Sequence, residues 1–299
     1  MVSVIIPTYG GGEGLKKVIE SVRNQSYKQI EIIVVDDNGC GTENQIKTAA
    51  VLKEYTDAGL VQYITPEKNA GGSAARNRGA YASKGEYLMF LDDDDTISED
   101  KIEKQVEALE QTPGKYGLSY CSTKVWMGDK LSNTIFAQKS GDILYPYMMG
   151  KVYMGTGTVL MLRDVWIKLG GYDESFIRHQ DWEFFARILN EYDAIAVRDV
   201  YFNRYITNRN LPKKLNTLEM HMDHYLSFLK KYDFRLSKNQ MRNVINMNNS
   251  RIALRCLKEK NIKKFINTLN KYDNFVVACI AFLFFLLNVC KDKMIGKRS

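Results

Sequence analysis

Two short runs, Val2-Ser3-Val4-Ile5-Ile6-Pro7 and Ile30-Glu31-Ile32-Ile33-Val34-Val35, are apolar almost without a break and rich in β-branched residues. A strand of that kind has no face to offer water, so it belongs in a parallel sheet covered on both sides. Between the runs, Leu15, Val18, Ile19 and Val22 recur at i, i+3, i+4, i+7, the spacing of one helix face. The alternation continues through a helical segment at about 42–58, a short strand at Leu60–Ile64, a helix at about 73–83 and a strand at Tyr87–Leu91. Strand–helix alternation over the first 95 residues predicts a doubly wound α/β sheet, and the fold class expected for the chain is α/β, a mixed, mainly parallel sheet flanked by helices. From about 115 to 205 the pattern turns mixed: strand-like runs at Gly117–Val125, Thr158–Leu162 and Ala194–Val197, a turn at Gly170-Gly171-Tyr172-Asp173, and an amphipathic helix starting near Asp181.

In open α/β sheets ligands bind outside the carboxyl ends of the strands. The polar signals of this chain sit there: Pro7-Thr8-Tyr9 after the first strand, Asp36-Asp37 after the second, and Asp92-Asp93-Asp94-Asp95 after the strand at 87–91. Four consecutive aspartates repel one another unless a cation neutralises them, and Mg²⁺ typically takes one or two carboxylates together with substrate phosphate oxygens. A metal–diphosphate site is one reading. A solvated acidic loop capping the next helix, in which Asp100 precedes Ile102, Val106 and Leu109, is the other. The second acidic pair at the same sheet end favours the first.

The stretch Asn69-Ala70-Gly71-Gly72-Ser73-Ala74-Ala75-Arg76-Asn77-Arg78-Gly79 places two glycines before a helix, with Ser73 as the expected N-cap. Ala74 and Ala75 allow close approach to the sheet, and Arg76 and Arg78 suit phosphate charge near a helix N-terminus. A plain loop-to-helix turn with exposed arginines is the alternative. Two nucleotide fingerprints are missing: Gly10 to Gly14 lacks the last glycine of GxGxxG, and no GxxxxGK[ST] occurs.

Taken together, Val2–Tyr9, Val34–Gly39, Asn69–Asn77 and Phe90–Asp95, followed by His179-Gln180-Asp181-Trp182-Glu183, resemble the family 2 glycosyltransferases of the GT-A fold. The blocks keep the family's order and cover residues 1 to about 205. The resemblance implies inverting transfer of a sugar from a nucleotide-diphosphate donor, usually a UDP-sugar, to an acceptor hydroxyl. It places Pro7, Tyr9 and Asp37 around the uridine, and Arg76 beside the diphosphate. Asp92, Asp93 and Asp94 fall in the acidic donor motif, with Asp94 and Asp92 matching the pair that holds Mn²⁺ or Mg²⁺. Asp181 matches the catalytic base, and His179, Gln180 and Trp182 lie on the acceptor side. The family commonly carries Glu where this chain has Gln180. Asp181 also reads as a helix N-cap, and both roles are compatible. A non-catalytic sugar-nucleotide-binding or scaffold subunit is the alternative function. A processive synthase is disfavoured because no QxxRW motif and no set of long apolar spans appears.

The remainder differs in charge. Of 42 Lys and Arg and 35 Asp and Glu, 18 basic and 6 acidic residues fall between Lys213 and Ser299, so the tail is strongly basic and the front slightly acidic. A domain edge is expected at the composition shift, giving residues 1–212 as the glycosyltransferase domain and 213–299 as a basic helical region. An uncharged apolar segment at 275–290 reaches about 24 Å as a helix, short of a hydrocarbon core of about 30 Å. A membrane-dipping anchor, a buried helix closing this region or a homodimer, and a short span are its three readings. Flanking Lys291, Lys293, Lys297 and Arg298 suit anionic lipid. Nucleic acid is not expected as a partner, since no basic groove interleaved with aromatics is visible. With no leader visible at Met1 and five cysteines, odd in number and forming no CxxC pair, the expected location is cytoplasmic, peripheral on the inner face of the cell membrane. The acceptor expected there is a lipid-linked surface glycan. His221 and His224, at i, i+3, lack the further ligands a metal site needs.

Overall fold

The computed structural model describes residues 1–10, 12, 14–112, 114–206, 215–271 and 282–283. The chain opens with β1 (Val2–Thr8), α1 (Leu15–Arg23), β2 (Ile30–Asp36), α2 (Glu43–Asp57), β3 (Gln62–Ile64), α3 (Gly72–Ala82) and β4 (Tyr87–Phe90). It continues with β5 (Thr96–Ile97), α4 (Lys101–Glu110), β6 (Tyr116–Met127), β7 (Lys130–Ile135) and α5 (Leu144–Met148). After a 3-10 turn at Thr156–Thr158 come β8 (Val159–Leu162), α6 (Arg163–Leu169), α7 (Gln180–Glu191) and β9 (Asp193–Tyr205), then α8 (Leu215–Lys231), α9 (Lys238–Lys258) and α10 (Ile262–Leu269). The chain divides into two compact units, one of residues 1–147 and 152–207, the other of 148–151 and 208–299.

In the first unit nine strands form one sheet in the order β3-β2-β1-β4-β8-β6-β9-β5, with β7 on β6. The first four strands are parallel, as the apolar runs of β1 and β2 require. The sheet becomes mixed where β8 enters antiparallel to β4 and β6. Leu15, Val18, Ile19 and Val22 of α1 are all buried, and join Val4, Ile6 and Val34 in the core. Pro7 is tolerated in a central strand because β4 ends at Phe90, opposite Ile5, so the missing N–H points where no ladder partner remains.

Four elements escape the sequence reading. β5 has two residues and α5 five, too few to show a period, while β7 is largely exposed and α6 is a seven-residue helix running straight on from β8 to the Gly170 turn. The helix at α3 starts at Gly72 and α7 at Gln180, each one residue before the sequence pattern suggests. Ser73 is not the N-cap of α3: that position is Gly71, at φ +90°, and the Ser73 hydroxyl donates to the Phe176 carbonyl instead. Asp100 does precede α4, but its side chain caps nothing.

Small residues let α3 lie directly on the sheet. A Cβ on Gly79 would stand 2.4 Å from Ile5 Cγ2 and 3.1 Å from Val35 Cγ2. On the other helix, α4, Lys101 is fully buried, with its ammonium near Met89 Sδ and Gln105 Oε1. Burial holds its pKa down to about 8, because a charge without water around it is disfavoured.

In the second unit Ser237 opens α9 with a capping box: its hydroxyl accepts from Gln240 N, while the Gln240 side chain accepts from Ser237 N. Asn261 caps α10 through Lys264 N. Ala253, Leu269 and Phe282 form a small core with Leu254, Leu257 and Phe265. Apart from Phe282 and Leu283, the apolar segment 275–290 lies outside the described residues. Among the described residues no helix is long and apolar enough to cross a membrane.

Two outcomes are expected. Gly79→Ala should lower the unfolding free energy by about 1–3 kcal/mol in urea titration, since the added methyl meets Ile5 with no room to relax. For Lys101 the folded pKa lies below the unfolded value of about 10.4. The unfolded chain therefore holds one more proton between those values, and stability from this group rises as pH rises from about 8 towards 10. Lys101→Met should flatten that part of the stability–pH curve relative to the native protein.

Candidate active site

Three neighbouring parallel strands deliver their carboxyl ends to one place. After β1, Thr8 Oγ1 donates to Asp93 Oδ2 at 2.5 Å, tying the first strand to the acidic loop that follows β4. The glycine turn before α1 serves the same approach, because a Cβ on Gly14 would lie 2.3 Å from the Asp93 carbonyl. After β2, the two aspartates do different things. Asp36 is fully buried and accepts from Asn38 N, Asn38 Nδ2 and the Tyr63 hydroxyl, which builds the loop. Asp37 reaches across to the start of α3, where its oxygens accept from Ala70 N at 3.0 Å and Gly71 N at 2.7 Å. Pro7 is half-buried at the end of β1 and Tyr9 is 62% exposed beyond it.

Arg76, on the first turns of α3, joins the acidic loop after β4 to the start of α7. Its Nη2 donates to Asp92 Oδ1 at 2.6 Å and its Nη1 to Gln180 Oε1 at 2.8 Å. Gly72 leaves the space for this: a Cβ there would stand 2.9 Å from Arg76 Nη1 and 3.2 Å from Gln180 Oε1. Arg78, singled out with it in the sequence, makes no ion pair to the acidic cluster; two helical residues on, it points away from that side.

The second half of the site stands on the N-terminus of α7. His179 precedes the helix in the left-handed region, at φ 61°, and its ring stacks on Trp182 at 4.3 Å. A non-glycine residue held there is strained. Asp181 sits in the first turn, where the helix dipole favours a carboxylate, and its Oδ1 accepts from Trp182 N at 3.0 Å. Glu183 turns inward and forms a two-pronged ion pair with Arg187, whose guanidinium also donates to the carbonyls of Leu169 and Gly171. That pair anchors α7 to the Gly170–Gly171 turn and is structural. Asn77 fixes the next residue through both its amide groups, donating to Tyr172 O and accepting from Tyr172 N.

The electrostatics follow from burial. Asp181 keeps part of its surface open but is set deep among protein atoms. Burial raises its pKa, the Trp182 N–H and Arg76 pull it back, and the Asp92 charge raises it further. Asp95 is buried beneath its neighbours and accepts from Tyr205 N. Burial first, then the charges of Asp92 and Asp94, hold it well above the usual carboxylate range. Sequence reasoning missed the opposite wall. Arg204 of β9 donates to the Tyr153 hydroxyl at 3.1 Å, and its charge acts on both Asp95 and Asp181. An arginine in an alternating strand carries no signal of its own, and the β9 register opposite β5 is what brings it here.

Two buried donors in this site, Arg76 Nε and the Tyr172 hydroxyl, have no acceptor among the described residues. Polar atoms left so in a folded interior usually serve a ligand or water. Among the described residues no three His, Cys, Asp or Glu side chains gather as a metal centre. The crowded carboxylates at 92–95 would suit a cation that also takes phosphate oxygens.

The family model described as Glycosyl transferase family 2 matches residues 3–163. An uncharacterized glycosyltransferase of Methanocaldococcus jannaschii is 27% identical over 296 residues, 96% of this chain and 89% of its own length. The amylovoran biosynthesis glycosyltransferase AmsB of Erwinia amylovora is 27% identical over 192 residues, 62% of each protein. Among solved structures, S. aureus TarS 1-349 in complex with UDP-GlcNAc superposes with a TM-score of 0.63 at 16% identity, over 93% of this chain and 81% of that one. The mannosyltransferase PcManGT of Pyrobaculum calidifontis, in complex with GDP-Man and Mn²⁺, gives 0.58 at 14% identity, over 97% and 86%. These likenesses show the GT-A fold. With over half of its length matched by the family model, the chain belongs to glycosyltransferase family 2 and is a glycosyltransferase.

Proposed function

We propose that the protein moves a hexosyl or N-acetylhexosaminyl group from a UDP-sugar to a hydroxyl of a growing, lipid-linked surface glycan, with inversion at the anomeric carbon. The observation that carries this reading is Arg76, whose guanidinium spans Asp92 and Gln180. It fixes the strand end suited to a donor diphosphate against the helix suited to an acceptor. The UDP-GlcNAc in the TarS complex and the name of the amylovoran relative support the donor and the biosynthetic setting.

In this reading residues 1–212 carry the chemistry. Pro7, Tyr9 and Asp37 border the uracil, and Asp93 shapes the acidic loop from its hydroxyl contact with Thr8. A divalent cation, Mn²⁺ or Mg²⁺, held by Asp94 and Asp92 supplies positive charge for the leaving diphosphate; PcManGT was solved with Mn²⁺. Asp181 takes the proton of the acceptor hydroxyl as that oxygen bonds to the anomeric carbon and the bond to the diphosphate breaks. Its raised pKa makes it a better base than an ordinary aspartate at neutral pH. His179 and Trp182, stacked together, and Gln180 border the acceptor. The basic region 213–299 meets the inner membrane face, drawn by anionic lipid.

A UDP-, GDP- and dTDP-sugar panel with Mn²⁺, followed by nucleotide release, tests the donor class; release from GDP-sugars alone would overturn the UDP assignment. Asp181→Asn should lower kcat about 10²–10⁴-fold while UDP affinity, measured by calorimetry, stays within about twofold. The native acid limb of kcat/KM should lie above the ordinary Asp pKa of about 3.9 and vanish in that variant. Asp94→Asn should raise the Mn²⁺ concentration for half-maximal rate at least about tenfold, since even outer partners of a metal carry that much. Unchanged metal dependence would move the site elsewhere.

A further inference from the structure

The second unit carries a cleft of about 580 Å³ that the chemistry above does not use. It lies where the turn after α8 meets the start of α9. Its floor is apolar: Phe234 is buried, Tyr232 and Ile245 are half-buried, and the Tyr232 and Phe234 rings lie 4.7 Å apart. Its rim is cationic, with Lys230, Lys238 and Arg242 all exposed. Among the described residues none of these three has an acidic partner; Arg242 donates only to Asn239 Oδ1. Lys271, also on the lining, is paired with Asp223, and Asp233 is the one acid the lining contains.

An apolar floor beneath several uncompensated cations selects for an amphiphile with an anionic head. Water and simple ions gain nothing from the floor, and a neutral lipid gains nothing from the rim. Three cations without an acidic partner suit a head of more than one negative charge, and a phosphomonoester carries about two at neutral pH. The volume is in the range of a site for one small ligand, enough for a head and one stretch of chain rather than a two-chained lipid.

We propose that this cleft binds the phosphate end of a single-chain lipid, an alkyl or isoprenoid phosphate, with the phosphate on Lys230, Lys238 and Arg242 and the first chain carbons on Tyr232 and Phe234. The inference rests on the reading that this region meets lipid, and it names the lipid chemistry. It also accounts for part of the tail's basic excess as a built site rather than a diffuse surface.

The full-length protein is titrated calorimetrically with dodecyl phosphate below its micelle-forming concentration. Inorganic phosphate, dodecanol and a twelve-nucleotide DNA strand serve as competitors, and phosphatidylglycerol vesicles are assayed in parallel by co-sedimentation. Saturable binding of dodecyl phosphate is expected, at least tenfold tighter than inorganic phosphate. The double variant Lys230→Glu with Arg242→Glu should weaken it at least tenfold while Lys258→Glu, on the exposed part of α9 outside the cleft, leaves it unchanged. All are surface changes, and melting temperature and UDP affinity should match the native protein. Equal binding of inorganic phosphate, displacement by the DNA strand, or indifference to the double variant would each overturn the proposal. Vesicle binding without dodecyl phosphate binding would sink the cleft and leave the membrane reading standing. Loss of both would remove the two together.

Discussion

A guanidinium taken out of water has to be met by charge and hydrogen bonds, or the fold does not keep it. Arg76 is such a group: it is 9% exposed, and Asp92 and Gln180 are what meet it. Burial opposes its charge, and the Asp92 carboxylate together with Tyr172 and Asp181 outweighs that and keeps it protonated. Much else in the site follows from this contact. Gly72 has no side chain because the guanidinium and the Gln180 amide fill the space where a Cβ would be. Gly79 has none because the helix carrying Arg76 must lie on Ile5 for the arginine to reach the strand ends. Asp37 holds the amides at the start of the same helix, so the loop before it cannot drift.

Gln180 gains a meaning from that geometry. A glutamate there would give Arg76 a second anion and leave two carboxylates side by side with Asp181 in a half-buried place. The amide accepts the same hydrogen bond without adding charge, so Asp181 feels one fewer like charge. The neighbouring Glu183 escapes the site by turning inward to Arg187, where its charge is neutralised by a buried pair and the carbonyls of the Gly170–Gly171 turn are satisfied as well. Two acidic positions of one helix thus end in opposite roles, one for structure and one, in the proposed function, for the acceptor.

How far the sequence carries this picture can be judged residue by residue. The first four strands and their helices were legible because continuous apolar runs and the 3.6-residue period are local properties, and Leu15, Val18, Ile19 and Val22 are buried as their spacing implies. The acidic strand ends were legible for the same reason, since chain order alone puts them at one edge of a parallel sheet. Ser73 misled because hydroxyl capping is only one use of a serine beside a helix start; the Phe176 carbonyl, about a hundred residues away in the chain, competes for it. Arg204 and Tyr153 were invisible, and Tyr172 showed only as part of a turn. Their proximity to Asp181 depends on how β9 pairs with β6 and β5 and on how Asn77 grips the Gly171–Tyr172 backbone.

By itself the amino-acid sequence determined the kind of fold, the edge of the sheet that gathers the acidic and polar residues, the residue types present there, and the separation of a basic tail from an acidic front. Those are set by periodicity and order along the chain. Only the tertiary structure decided which of two arginines on one helix reaches the aspartates, which aspartate of each pair is spent on the loop, and which walls face Asp181. It also decided that four lysine and arginine side chains of the tail line one cleft together with apolar ones. Such facts depend on distances between segments far apart in sequence, and no local pattern encodes a distance.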